Sequence, residues 1–381
     1  MDTKMKILIT GGAGFIGSCI ARKLRLGGHF VRILDNLSPQ IHSDTPVWLS
    51  GPDVDFMLGS VSDRSVLVQA LRDIDVVIHL AAETGTGQSM YQIQRYYDVN
   101  VMGTALLFDV LTNDENRTVT KVLLASSRSV YGEGAYVCGI NCMSEGSRQY
   151  PLGRSHNNLS KHRWDHLCQG CGGTLTSSPT NELDGISPAS MYAASKYAQE
   201  DIVRIGCSAL SMEYGIFRLQ NVYGPGQSLN NPYTGILSIF STKIKNGNEL
   251  PIFEDGLESR DFVNVDDVAE VFVIASEYSG YLSDVVNVGS GVASAVIDIA
   301  KNLVSAFKIS VPITVTSNFR LGDIRHNYAD ISKLKELFGF QPSISLEAGI
   351  SDFVEWVDGQ PVHDDNLSLA NNELLKRNLM G

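Results

Sequence analysis

The chain has 381 residues, 43% hydrophobic and 19% charged, a balance that suits a soluble globular protein of one large or two smaller domains. A formal net charge of −12, with no local basic patch, argues against non-specific nucleic-acid binding. No apolar run approaches the roughly 20 residues of a membrane helix, and Met1–Lys4 leads almost directly into a strand without a secretory signal, so a cytoplasmic protein is expected.

In chain order, Lys6–Thr10, Phe30–Leu34, Val54–Leu58, Val76–Leu80 and Val122–Ala125 are Val/Ile/Leu-rich runs without polar alternation. Such runs predict parallel strands covered by helices on both faces. Helical stretches fall between them near Ile16–Leu26, Asp63–Leu71 and Tyr91–Leu111, so the pattern predicts a doubly wound α/β domain. From Glu133 to about Ser187 the pattern is lost in a stretch rich in Gly, Ser, Cys, His and Asn, too long for an ordinary loop. It reads as an insertion. A helix near Ala189–Leu210 and a strand at Gly215–Leu219 follow, and short mixed elements then predict a smaller C-terminal α/β substrate-binding domain. The expected division is 1–221, carrying the insertion at about 133–187, and 222–381, with about 261–291 returning to the first domain.

Thr10-Gly-Gly-Ala-Gly-Phe-Ile-Gly17 follows the first strand and opens a helix. Gly11, Gly14 and Gly17 have the spacing for a tight turn, close backbone approach to a pyrophosphate and close helix packing, with Phe15 and Ile16 in the same cradle. The helix N-terminus favours that anion. Asp35, some 20 residues on, ends the second strand and suits the adenosine ribose hydroxyls. Its charge repels a 2′-phosphate, and neither Asn36 nor Leu37 offers an Arg, so NAD is favoured over NADP. Ser60-Val61 and Leu80-Ala81-Ala82 fall at strand ends where the adenine and nicotinamide ribose would pass.

Strand Val122–Ala125 runs into Ser126-Ser127-Arg128-Ser129-Val130-Tyr131-Gly132 at the end facing the ligand crevice. Tyr192 and Lys196 stand one helical turn apart, so the ammonium can favour the phenolate and make Tyr192 a base. With the glycine set, Asp35, His79-Leu-Ala-Ala82, Asn100-Val-Met-Gly-Thr104, Ser-Ser-x-x-Val-Tyr-Gly and Tyr-x-x-x-Lys, the chain resembles the extended short-chain dehydrogenase/reductases that act as nucleotide-sugar epimerases and dehydratases. The resemblance covers the chain apart from the insertion.

It implies a Rossmann fold, NAD, catalysis by Ser127, Tyr192 and Lys196, a cofactor contact for Asn100, and a homodimer paired through Asn100–Leu111 and Ala189–Leu210. The family's 4,6-dehydratases carry Asp-Glu where this chain has Arg128 and Ser129, which disfavours dehydration. The resemblance also implies a nucleotide-diphosphate sugar held by Asn221, Arg260 and Arg320, with Asp323 on the nucleotide ribose and Asn231-Pro-Tyr233 near the base. Arginine suits a diphosphate because it stays charged and grips oxygens in a fork. Glu83-Thr-Gly-Thr-Gly-Gln-Ser-Met90, with Thr84 at the sugar, and Tyr96–Asn100 look most like the dTDP-L-rhamnose 4-epimerase branch. The expectation is therefore NAD-dependent C4 epimerisation. Another nucleotide-sugar 4-epimerase, on a UDP-sugar, and a reductase or dehydrogenase of the same fold are the alternatives. A non-catalytic dinucleotide sensor would not need the full set of site residues.

In the insertion, Cys138-x3-Cys142 and Cys168-x2-Cys171 offer four thiols, with His156, His162 and His166 as alternative metal ligands. Without a secretory signal they read by default as reduced thiols, a structural zinc being the alternative. Nothing in the expected chemistry requires a metal.

Overall fold

The computed structural model describes residues 4–42, 44–51, 54–139, 142, 145–233 and 235–381; the leader reading of Met1–Thr3 lies outside them. Its centre is a seven-stranded parallel sheet in the order Ser283–Val288, Glu213–Leu219, Lys121–Ser127, Val76–His79, Lys6–Thr10, Phe30–Asp35, Asp55–Leu58. The connection reverses direction between Lys6–Thr10 and Val76–His79, and a crevice opens at such a switch point beyond the strand C-termini. Thr10, Asp35, His79 and Ser127 end strands on that edge.

The strands lack polar alternation because both faces are buried. Ile7, Ile9 and Ile33 pack under helices Phe15–Leu26 and Val265–Glu277, whereas Leu8, Leu34 and Val77 pack under Gly103–Asn113 and Met191–Ala209. This is the doubly wound α/β architecture.

The stretch Tyr91–Leu111 is not one helix. It is a turn at Ile93–Tyr96, a π-helical segment at Tyr97–Met102 and a helix at Gly103–Asn113. Asn100 in the widened turn reaches back to the Glu83 backbone, a tertiary bond that helical periodicity does not reveal.

Strand Ser259–Asn264 belongs to a second sheet with Asn221–Tyr223, Ala293–Ala295 and His326–Asn327, whereas Ser283–Val288 forms an edge of the main sheet. Tyr223, Phe240, Ile299 and Phe353 belong to the separate core beside it. Between Glu133 and Ser187, the short strands Tyr136–Val137, Arg148–Gln149 and Thr176–Ser177 pair antiparallel with Tyr136–Val137 central. Among the described residues, no helix is long and apolar enough to cross a membrane.

Candidate active site

A cleft of about 1080 Å³ runs from the switch point to the second sheet. At one end the glycine turn is shaped by contacts no side chain fits. Gly11 has φ +71°, and a Cβ there would stand 2.8 Å from Ala81 N; at Gly17 it would stand 2.4 Å from Gly11 O. Helix Phe15–Leu26 starts at Gly14 with no side-chain cap, leaving its first N–H groups for an anion. Asp35 closes this pocket, its carboxylate accepting Ala13 N at 3.1 Å and Leu37 N at 2.9 Å. The cradle and its acidic neighbour fit a dinucleotide.

Strand Lys121–Ser127 and helix Met191–Ala209 bring the reactive groups together. Ser190 caps the helix by accepting Ala193 N at 3.1 Å, which fixes where Tyr192 and Lys196 emerge. Ser129 Oγ donates to Ser127 Oγ at 2.9 Å, and Ser127 hydrogen-bonds the Tyr192 phenol. The hydroxyls form a relay ending on the tyrosine oxygen.

Burial pushes the Tyr192 phenol up, while the Ser127 bond and the charge of Arg128 pull it down. Lys196 is not among the groups that lower it: its Nζ donates to Ala125 O at 2.9 Å. Burial brings the Lys196 ammonium down to about 7, against the opposing charge of Glu200. His79, between Thr10 Oγ1 at 2.7 Å and Thr104 Oγ1 at 3.0 Å, is driven down to about 3 by burial and then by Lys196, and is therefore neutral.

Across the cleft, Arg260 donates to Asp323 at 2.8 Å and to the carbonyls of Ser259, Ile324 and Arg325. Burial opposes ionisation of Asp323, yet Arg260, Arg320, Arg154 and Arg128 together hold it below the usual carboxylate range. Arg320 lies over Phe253, donates from Nη2 to Asn371 at 2.8 Å, and keeps its buried Nε without a partner. Arg154 is paired with Glu254, so Arg128, Arg260 and Arg320 around the single Asp323 carboxylate leave a positive excess suited to an anionic ligand.

Gly11, Gly14, Phe15, Ile16, Gly17, Asp35, Asn36, Ser60, Val61, Leu80, Ala81, Ala82, Thr84, Ser127, Tyr192, Lys196, Asn221, Arg260, Arg320 and Asp323 all line this one cleft. Asn100 does not. It is fully buried behind the wall, its amide spent on Glu83 and, at 2.9 Å, on Ser195 Oγ, so its direct cofactor contact is corrected to a brace. Tyr233 lines the cleft and accepts from the Tyr91 hydroxyl at 2.8 Å, whereas Asn231 is buried beneath it and accepts Tyr233 N at 3.0 Å.

Three further cleft residues went unassigned in the sequence. Glu258, pushed up to about 7 by burial, has no motif to mark it. Leu367 and Leu374 come from the C-terminal helix Leu367–Leu375, whose apolar spacing gives no sign that it covers a site. Nor do the insertion's histidines join its thiols: His156 packs on Phe319, His162 on Trp164, and His166 faces Glu133 at 3.2 Å.

Residues 7–289 match the family described as NAD dependent epimerase/dehydratase family, and the chain belongs to it. It is an NAD-dependent enzyme. Among curated relatives it is 38% identical to a dTDP-L-rhamnose 4-epimerase of Burkholderia thailandensis, over 92% of this chain and 94% of that one. It is 30% identical to a putative UDP-glucose 4-epimerase of Methanocaldococcus jannaschii, over 92% and 98% of the two chains. Among solved structures it is similar to the UDP-glucose 4-epimerase of Thermotoga maritima with UDP-glucose, with TM-score 0.74 and 27% identity over 93% of this chain and 99% of that one.

Proposed function

We propose that this enzyme is a nucleotide-sugar 4-epimerase whose substrate is dTDP-L-rhamnose, converted to dTDP-6-deoxy-L-talose. The observation that carries the reaction type is the meeting, in one cleft, of the Ser129–Ser127–Tyr192 relay with the arginine cluster around Asp323. The sugar assignment rests on the 38% identity to a dTDP-L-rhamnose 4-epimerase and on the wording of Glu83–Met90.

Gly11, Gly14, Phe15, Ile16, Gly17, Asp35 and Lys196 would hold NAD, which when bound supplies a reversible hydride acceptor for the sugar C4. Ser127 orients the C4 hydroxyl and Tyr192 takes its proton. Arg260, Arg320 and Asn221 keep the diphosphate anchored while the oxidised sugar turns. Tyr192 then returns the proton. Arg128 and Ser129 hold no carboxylate pair for expelling water, in keeping with a 6-deoxy sugar that has no 6-hydroxyl to lose.

The working unit is proposed to be a homodimer. Met102 and Ile205 are 59% and 58% exposed and lie in Asn100–Leu111 and Ala189–Leu210, the stretches for which the family resemblance implies pairing. A panel of dTDP-, UDP- and GDP-sugars tests the specificity: kcat/KM for dTDP-L-rhamnose should exceed that for UDP-glucose by at least about 100-fold. Comparable values for the two would overturn the sugar assignment and leave the epimerase reading standing.

A further inference from the structure

The Glu133–Ser187 insertion holds none of the reacting groups, yet it gathers four thiols. The Sγ atoms of Cys138, Cys142, Cys168 and Cys171 all lie within 4.8 Å of one another. Cys138 stands 3.5 Å from Cys171, and Cys142 stands 3.7 Å from Cys168. Sulfurs at the corners of a tetrahedron around zinc, each about 2.3 Å from the metal, are about 3.8 Å apart.

The local backbone is built for negative sulfur. Cys168-x2-Cys171-Gly172-Gly173 forms a tight turn, closed by Gly172 N on Cys168 O at 2.9 Å and Cys168 N on Gly173 O at 2.8 Å, with Gly172 at φ +72°. Within it Gly170 N points at Cys168 Sγ and Gly173 N at Cys171 Sγ, each at 3.4 Å, while Gln149 Nε2 donates to Cys168 Sγ at 3.3 Å. Those donors offset the charge of thiolates, which is the form a metal binds.

The folding logic agrees. The apolar cluster around the thiols consists of Tyr136, Cys138, Cys168 and Leu175, with Cys142 packed against it, while Leu159 and Trp164 of the same insertion pack separately on Phe319. Two clusters this small bury little apolar surface for a module of this length, and small modules are commonly held by a cross-link or a metal.

We propose that Cys138, Cys142, Cys168 and Cys171 bind one structural zinc ion as a four-thiolate site. Zinc displaces the thiol protons, involves no redox change and leaves no open position for catalysis. The site staples the insertion whose other residues brace the arginine cluster: Arg154 donates to Glu254 at 2.6 and 2.7 Å and to Asp323 O at 3.1 Å, and Glu133 accepts Arg325 N at 2.8 Å.

The test is the metal content of full-length, untagged protein by plasma mass spectrometry, with cobalt-substituted protein examined in the visible. About one zinc per chain and intense tetrahedral cobalt–thiolate bands are expected. Cys168→Ser together with Cys171→Ser should lower zinc at least about tenfold. Should that variant not fold, titrating the wild-type thiols with a mercurial still decides, since about one zinc per chain should be released as the thiolates are consumed and all six cysteines should react in the denatured protein. Zinc-free protein, iron in place of zinc, zinc kept in the folded variant, or only two reactive thiols would each overturn the proposal.

Discussion

The Arg128 guanidinium acts on the Tyr192 phenol, lowering it alongside the Ser127 hydrogen bond while burial pushes it up. Arg128 is itself brought down to about 10, by burial and then by the charge of Arg260, but remains a cation at neutral pH. An arginine where related dehydratases keep an acid thus helps prepare the base.

Arg128→Gln removes that charge, so the Tyr192 phenol should titrate higher. The base works deprotonated, so activity rises with pH through its pKa. The variant's ascending limb should move upward by roughly one pH unit, with turnover at pH 7 down about tenfold. A pH profile of kcat checks this; an unshifted limb would sever Arg128 from the base.

Gly17→Ala should harm the cofactor cradle far more than Gly14→Ala. The added Cβ meets backbone at 2.4 Å in the first case and at 3.3 Å in the second. Backbone must move for Gly17, which should cost on the order of 2–3 kcal/mol of stability and abolish retention of NAD. Thermal unfolding and the cofactor content of both purified variants measure the difference.

His79 makes stability depend on pH. Its folded value of about 3 lies below the ordinary 6.5, so the fold holds it neutral while the unfolded chain protonates. Its contribution is complete above 6.5 and is lost as pH falls from there towards 3. Urea unfolding at pH 7.5 and pH 5 should show wild type losing more stability than His79→Asn. Equal losses would place the acid sensitivity elsewhere.

Ile205→Arg puts a charge on the proposed pairing face, where Ile205 is 58% exposed in the single chain. Light scattering should find the wild type dimeric and the variant shifted to monomer, because an unpaired charge is costly in an apolar interface. A wild-type monomer would remove the pairing proposal.

Most of the main sheet was legible because strands buried on both faces read as uninterrupted apolar runs, and each glycine of the first turn answers to a backbone contact. Local motifs also gathered the cleft, since Asp35 and Ser127 end strands at the sheet edge that Gly11–Gly17 follows, and Tyr192 and Lys196 in the first turns of helix Met191–Ala209 face the same cleft. What stayed hidden depends on contacts distant in sequence. Asn100 looked like a cofactor ligand until its partners proved to be Glu83 and Ser195. The lysine expected to tune Tyr192 donates to the backbone at Ala125, and Arg128 and Ser127 do the lowering. Likewise, the cysteine pairs in the insertion meet only because three short strands fold them together.

The central claim is most directly tested by incubating the purified enzyme with dTDP-L-rhamnose deuterated at C4, without added NAD, and following the sugar by NMR. Reversible oxidation and reduction within one cleft predicts the C4 epimer with its deuterium retained at C4 and no accumulation of free NADH. Release of NADH with an oxidised sugar, loss of water, or exchange of the C4 deuterium with solvent would contradict it.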